Sequence, residues 1–105
     1  MALADPVRRN AYGFAFEAQI LDAAGAPVDI SAATTLELRL ELPDASVVHK
    51  TAGFTTDGTD GKVRYVVQSG DLDMGGSWRR QFLVAGPTFS FPFEIVAFEV
   101  LHNLP

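Results

Sequence analysis

Cysteine is absent from this 105-residue chain, so no disulfide framework, thiolate nucleophile or thiolate metal site is available and the fold must hold by packing. Positive charge is scarce. Eight Lys and Arg stand against 13 Asp and Glu, a net charge of -5 with the acids dispersed, which excludes a general nucleic-acid footprint. No apolar run approaches the roughly 18 to 20 residues that a membrane helix needs. The first ten residues carry Asp5 and Pro6, with Arg8 and Arg9 after their few apolar residues, so the expectation is a cytosol-made chain without a signal peptide. Only two histidines occur, His49 and His102. Neither has a partner spaced for a zinc site or for a nucleophile and base pair. The phosphate loop and the nucleophile elbow, with their fixed glycine spacings, are also missing. No segment has a convincing helical period.

What remains is a core former. Hydrophobic residues make up 48% of the chain, with eight Phe against one Trp and two Tyr, a mixture suited to one packed domain of ordinary size. In Thr35 to Leu42, Leu36, Leu38, Leu40 and Leu42 alternate with Glu37, Arg39 and Glu41. Side chains on a strand point alternately to its two faces, so this stretch predicts four leucines in the core and three charges in water. Burying a leucine is worth roughly 1.5 to 3 kcal/mol, which opposes a one-residue slip.

The other segments follow the same period. Over residues 11 to 22, Tyr12, Phe14, Phe16, Ala18 and Ile20 share a face, and the turn formers Asp22 to Pro27 reverse the chain. Val28 to Ile30 is expected as a short edge strand. Pro43 to Ser46 turns the leucine strand back into Val47 to Thr51. The two Asp-Gly pairs of Thr55 to Gly61 lead into Lys62 to Gln68, with Val63, Tyr65 and Val67 on one face. Ser69 to Gly76 is expected to cross between sheets, pinned by Leu72 or Met74. In Trp78 to Val84, Arg80 shares parity with Trp78, Phe82 and Val84; either the strand end is open to solvent, so that Arg80 snorkels or lies over an aromatic ring, or it meets a partner. Trp78 is assigned to the core, its alternative being a sugar platform. In Phe89 to Leu101 the apolar parity changes from Phe89, Phe91, Phe93 and Ile95 to Phe98 and Val100, which predicts a bulge near Val96 and Ala97. Pro92 places this stretch at a sheet edge.

The expected fold is therefore all-β: an antiparallel β-sandwich of six to seven strands over residues 11–105, with a small barrel as the second choice, preceded by an N-terminal arm of residues 1–10 that is not ordered in the free protein. Asp57, Asp60, Asp71 and Asp73 would surround calcium only if their two loops met, and Asp beside Gly is ordinary turn chemistry. No catalytic, cofactor-binding or metal-binding residue is assigned. The residues assigned to partner contact are Arg8 and Arg9 of the arm, Arg79 and Arg80 of the tryptophan strand, and Phe98 and Leu101 of the last strand, whose two faces are both apolar enough to imply cover, either by a neighbouring chain or by the arm of residues 1–10.

Several segments, taken in order, resemble a known family: Gly25 to Thr34, the leucine strand with Pro43 and Asp44, Thr56 to Tyr65, Asp71 to Asp73, and Gly76 to Phe82. The succession, over roughly residues 12 to 100, is similar to the immunoglobulin-like domain at the N-terminus of tailed-bacteriophage baseplate upper proteins and to short prophage tail proteins. That resemblance implies an immunoglobulin-like sandwich serving as a noncatalytic assembly module of the tail, baseplate or neck. The implied partners are other virion structural proteins and copies of itself within a ring, with neither nucleic acid nor membrane. The implied location is the virion, after synthesis in the bacterial host cytoplasm. Ending after one domain, the chain would be a connector, plug or decoration and not a receptor-binding tip. The alternative is a carbohydrate-binding or capsid decoration β-sandwich module.

Overall fold

The computed structural model describes residues 2, 3 and 5–103. Ten strands and no helix are found among them: β1 (Ala2–Leu3), β2 (Val7–Arg8), β3 (Ala15–Gln19), β4 (Thr35–Glu41), β5 (Val47–Thr51), β6 (Gly53–Phe54), β7 (Lys62–Val66), β8 (Gly76–Ala85), β9 (Ser90–Pro92) and β10 (Val96–Leu101). The larger sheet runs β1-β10-β8-β4-β5, with β2 also on β10 and β9 also on β8. The smaller sheet runs β3-β7-β6. The chain is thus all-β, with one mixed and one antiparallel sheet, an arrangement compatible with a β-sandwich.

The leucine strand lies where its alternation places it. Leu38 and Leu40 are fully buried, Leu36 and Leu42 half-buried. Glu37, Arg39 and Glu41 occupy the opposite face, half-covered by neighbours on β5 and β8. A single residue, Ala52, separates β5 of the larger sheet from β6 of the smaller, and its N–H donates to Leu36 O at 2.9 Å. The chain changes sheet again between β7 and β8, where Leu72 is fully buried and Met74 half-buried, as expected of that crossing. Between the sheets, the Phe16 and Phe98 rings stand 5.3 Å apart and the Trp78 and Phe98 rings 6.0 Å apart. Ile30, Val63, Val67, Val84 and Val100 fill in around them.

Four features differ from expectation. First, the sheet is mixed instead of antiparallel throughout, because Ala2–Leu3 and Val7–Arg8 pair with β10 in parallel. Most of the outer edge of β10 is closed by these two short pairings, which periodicity cannot reveal in segments of two residues. Second, ten strands replace six or seven, since two-residue pairings count among them. Third, Val28 to Ile30 forms no strand. Leu21 bridges Pro27, Val28 N–H donates to Ile20 O at 3.1 Å, and Ile30 turns its side chain wholly into the core. Fourth, the parity shift in the last segment comes just before Val96. From Pro92 to Val96 the chain takes four steps (92 to 96) while the partner takes three, from Leu83 to Arg80 (83 to 80). One extra residue is therefore accommodated at 93–95, which rotates Phe98 and Val100 inward. Pro92 lies in β9, which pairs with β8 alone among the described residues, in keeping with an edge.

Gly61 marks the tightest backbone approach. It has φ +71°, and a Cβ there would lie 2.6 Å from Ile20 O and 2.9 Å from Val28 O. Glycine is required both by the left-handed conformation and by the space.

Candidate functional site

The six residues assigned to partner contact do not converge; they fall into three places. At one end, Arg8 and Arg9 join Leu101 in a clasp of the two termini. Leu101 pairs with Arg8 across the parallel ladder, and Arg9 N–H donates to Leu101 O at 2.9 Å. Arg8 Nη1 donates to His102 O at 3.2 Å, Arg9 Nε to Asp73 O at 2.6 Å, and Asn103 Nδ2 to Arg9 O at 2.8 Å. Both arginines are exposed and Leu101 is half-buried. Their donors are partly committed to backbone carbonyls within the chain, and the segment expected as an arm is laid onto the domain here.

Arg79 and Arg80 are neighbours in β8 and so point to opposite faces of the larger sheet. Arg79 is outside, its Nε 2.6 Å and Nη2 2.5 Å from Glu41 Oε1 on β4. Arg80 is inside, its guanidinium carbon 4.4 Å from the centre of the Phe16 ring and 5.4 Å from that of Phe98. A cation above an aromatic face is attracted by the ring quadrupole. Burial disfavours the charged form and lowers the Arg80 pKa. The structural alternative for Arg80 thus describes its position. Phe98 is 2% exposed and belongs to the core of the single chain.

The outer face of the larger sheet carries the charged side of the leucine strand, Glu37, Arg39 and Glu41. Glu37 and Arg39 lie 3.5 Å apart, and the Glu37 carboxylate accepts a hydrogen bond from His49 Nδ1 on β5. That bond, aided by Arg39 and opposed by partial burial, holds the Glu37 carboxyl below its usual pKa. Beside the Glu41–Arg79 pair, an open groove of about 130 Å³ is lined by Arg39, Glu41, Val47, Arg79, Gln81 and Ile95, with Val47 and Ile95 exposed. The alternation of Glu37, Arg39 and Glu41 did signal an outward face. Which residues of β5 and β8 stand beside them depends on register between segments distant in sequence, which alternation does not carry.

The acidic loops serve the backbone. Asp57 Oδ1 accepts from Thr59 N–H at 3.0 Å and Thr59 Oγ1 at 2.7 Å. Asp60 accepts from Lys62 N–H and Thr56 Oγ1, both at 3.0 Å. Hydrogen bonds from the Thr59 hydroxyl and backbone hold the Asp57 pKa low. Asp71 is engaged elsewhere, accepting from the Tyr65 hydroxyl and from Gln68 N–H at 2.9 Å, with Lys50 Nζ at 3.1 Å. Among the described residues, no three His, Asp or Glu side chains gather as a metal would require. Trp78 is 1% exposed and its Nε1 donates to Met74 O at 2.9 Å, so it offers no sugar platform. No protein-family model matches the chain, and comparison with curated proteins finds no match.

Proposed function

We propose that the chain is an immunoglobulin-like module with a noncatalytic, structural role in a tailed bacteriophage or prophage particle, joining other virion proteins in the tail, baseplate or neck. The strand order carries this reading. Taken in chain order, β10-β8-β4-β5 opposite β3-β7-β6 corresponds to strands G-F-C-C′ opposite B-E-D of a variable-type immunoglobulin sandwich. The family resemblance in the sequence implies the same architecture. Fold analogy alone does not specify function, so surface chemistry has to agree with it. It does in kind: the polar groups lie on broad, open surfaces of ion pairs and backbone edges, suited to contact with another protein chain.

The rival carbohydrate-binding module loses its main support with the burial of Trp78. Tyr12, 63% exposed, is the one aromatic residue among those described that is more than half exposed. A sugar-binding face ordinarily needs an aromatic surface that a ring can stack on.

The test is co-sedimentation. Particles from the source encoding the chain are separated on a density gradient and probed with an antibody to it. The proposal expects the chain in the particle fractions after a high-salt wash. Recovery only at the top of the gradient, together with glycan-array binding by the isolated monomer, would replace it with the carbohydrate reading.

A further inference from the structure

The backbone of β5 has an unused hydrogen-bonding edge. β5 pairs with β4 on one side and with nothing on the other among the described residues. Antiparallel pairs alternate between hydrogen-bonded and non-bonded positions, and the ends of this ladder reveal the phase. Leu42 N–H donates to Ser46 O and Ala52 N–H to Leu36 O, each at 2.9 Å. Both lie in the register that matches Leu40 with Val48 and Leu38 with Lys50. Val48 and Lys50 therefore bond inward to β4, while the N–H and C=O groups of Val47, His49 and Thr51 point away from the sheet.

The other edges are less suited to taking a strand. That of β10 is largely occupied by β1 and β2, β9 carries Pro92, and β6 has only two residues. β3 has five residues, but its outward groups are those of Ala15, Glu17 and Gln19, because Ile20 N–H bonds inward to Gly61 O. Self-pairing about its centre would set Glu17 directly against Glu17, which is unfavourable. β5 has no such obstacle. Val47 is 48% and Val48 36% exposed, leaving apolar surface on both faces of one edge strand.

We propose that β5 is a homodimerisation edge, at which two copies of the chain pair antiparallel about His49 to form one continuous sheet. The occupant is a second copy because the segment Val47-Val48-His49-Lys50-Thr51 complements itself. Under a two-fold axis through His49, Val47 faces Thr51 of the other copy, a β-branched pair, and Val48 faces the Lys50 stem. Lys50 is already engaged by Asp71 and each His49 ring by Glu37, so both arrive with a partner carboxylate. Three outward residues per strand, each with one donor and one acceptor, give about six new backbone hydrogen bonds. Such an isologous contact closes on itself. It does not rest on the particle assignment: a monomer would leave that assignment standing, and absence from particles would leave this pairing standing.

Sedimentation equilibrium of the whole chain tests association, and introduced thiols test register. His49→Pro removes an outward N–H and none that β4 uses, so it should preserve the circular dichroism spectrum and weaken the dimer about 30-fold or more through two lost bonds. In the proposed register the two residues 49 lie about 5.5 Å apart, Cα to Cα, within disulfide reach, whereas the two residues 47 lie about 14 Å apart. With no native cysteine, His49→Cys alone should cross-link under mild oxidation and Val47→Cys alone should not. A mixture of Val47→Cys and Thr51→Cys should cross-link. A wild-type chain monomeric to millimolar concentration, or cross-linking as strong for Val47→Cys as for His49→Cys, would overturn the proposal.

Discussion

Replacing Asp71 with Asn should show how much of the stability depends on one carboxylate at the crossing between sheets. Its side chain is 7% exposed and receives the Tyr65 hydroxyl, Gln68 N–H and the Lys50 ammonium. An amide can accept at only one of the two oxygen positions, so at least one donor is left facing another donor and the charge opposite Lys50 is lost. Hydrogen bonds to a charged group contribute about 1.5 to 3 kcal/mol each, and the loss expected at neutral pH is about 2 kcal/mol. In a domain near 100 residues that corresponds to roughly 10 °C in Tm. Burial pushes the Asp71 carboxyl up, but the Tyr65 hydroxyl, Gln68 N–H and Lys50 together bring it below the ordinary 3.8. The folded form therefore binds its proton less readily than the unfolded chain. The stabilisation is complete above the ordinary value and is lost as pH falls through the depressed one. The cost of Asp71→Asn should accordingly shrink as pH falls below the ordinary 3.8. Urea unfolding at neutral pH and at pH 2.5, followed by Trp78 fluorescence, provides the assay. A cost under about 0.5 kcal/mol at neutral pH, or one unchanged at pH 2.5, would refute the carboxylate's role.

Gly61→Ala should cost about 3 kcal/mol, combining a left-handed conformation with a Cβ pressed against backbone oxygens of Ile20 and Val28. Gly25→Ala, at φ +83° with nothing within 4 Å, should cost only about 1 kcal/mol; equal losses in denaturant melts would remove the packing argument at Gly61. Arg80→Met trades a cation over Phe16 and Phe98 for an apolar side chain of similar reach. The lost attraction, about 0.5 to 2 kcal/mol, is offset by relief from desolvation, so the net change should stay within about 1 kcal/mol, while Arg80→Ala, which also loses the packed stem, should cost about 2. Destabilisation by Arg80→Met as large as that by Arg80→Ala would make the charge, and not the stem, the stabilising part.

These contrasts separate what local pattern encodes from what it does not. Alternation in Thr35 to Leu42 sufficed to orient β4, because a slip would expose Leu38 and Leu40. Parity with Trp78 and Phe82 put Arg80 on the aromatic face and left a ring or a partner as its contact; the rings it meets, Phe16 and Phe98, come from strands distant in sequence. Asp-Gly and Pro-Asp turns were legible because their side chains bond backbone two residues on, as Asp44 does with Ser46 N–H at 3.0 Å. The parallel pairings of Val7–Arg8 and Ala2–Leu3 with β10 were not legible, since their partners lie more than 90 residues away and two residues carry no period. The same limit hid the candidate surfaces. Arg79 meets Glu41 and His49 meets Glu37 only through strand register, and the free side of β5 is set by hydrogen-bond phase, which leaves no mark in composition. The apolar stretch around Phe98 suggests a partner contact when read locally. In the folded chain its surroundings are Phe16, Trp78 and Arg80, supplied by both sheets.

Quantitative mass spectrometry of gradient-purified particles from the source that encodes the chain tests the assembly role most directly. Peptides of the 11.3 kDa protein should appear at a fixed ratio to the tail proteins, at a few to about a dozen copies per particle as a ring position requires. Hundreds of copies would transfer the chain to the capsid surface as a decoration protein, and absence from particles would contradict the structural role altogether.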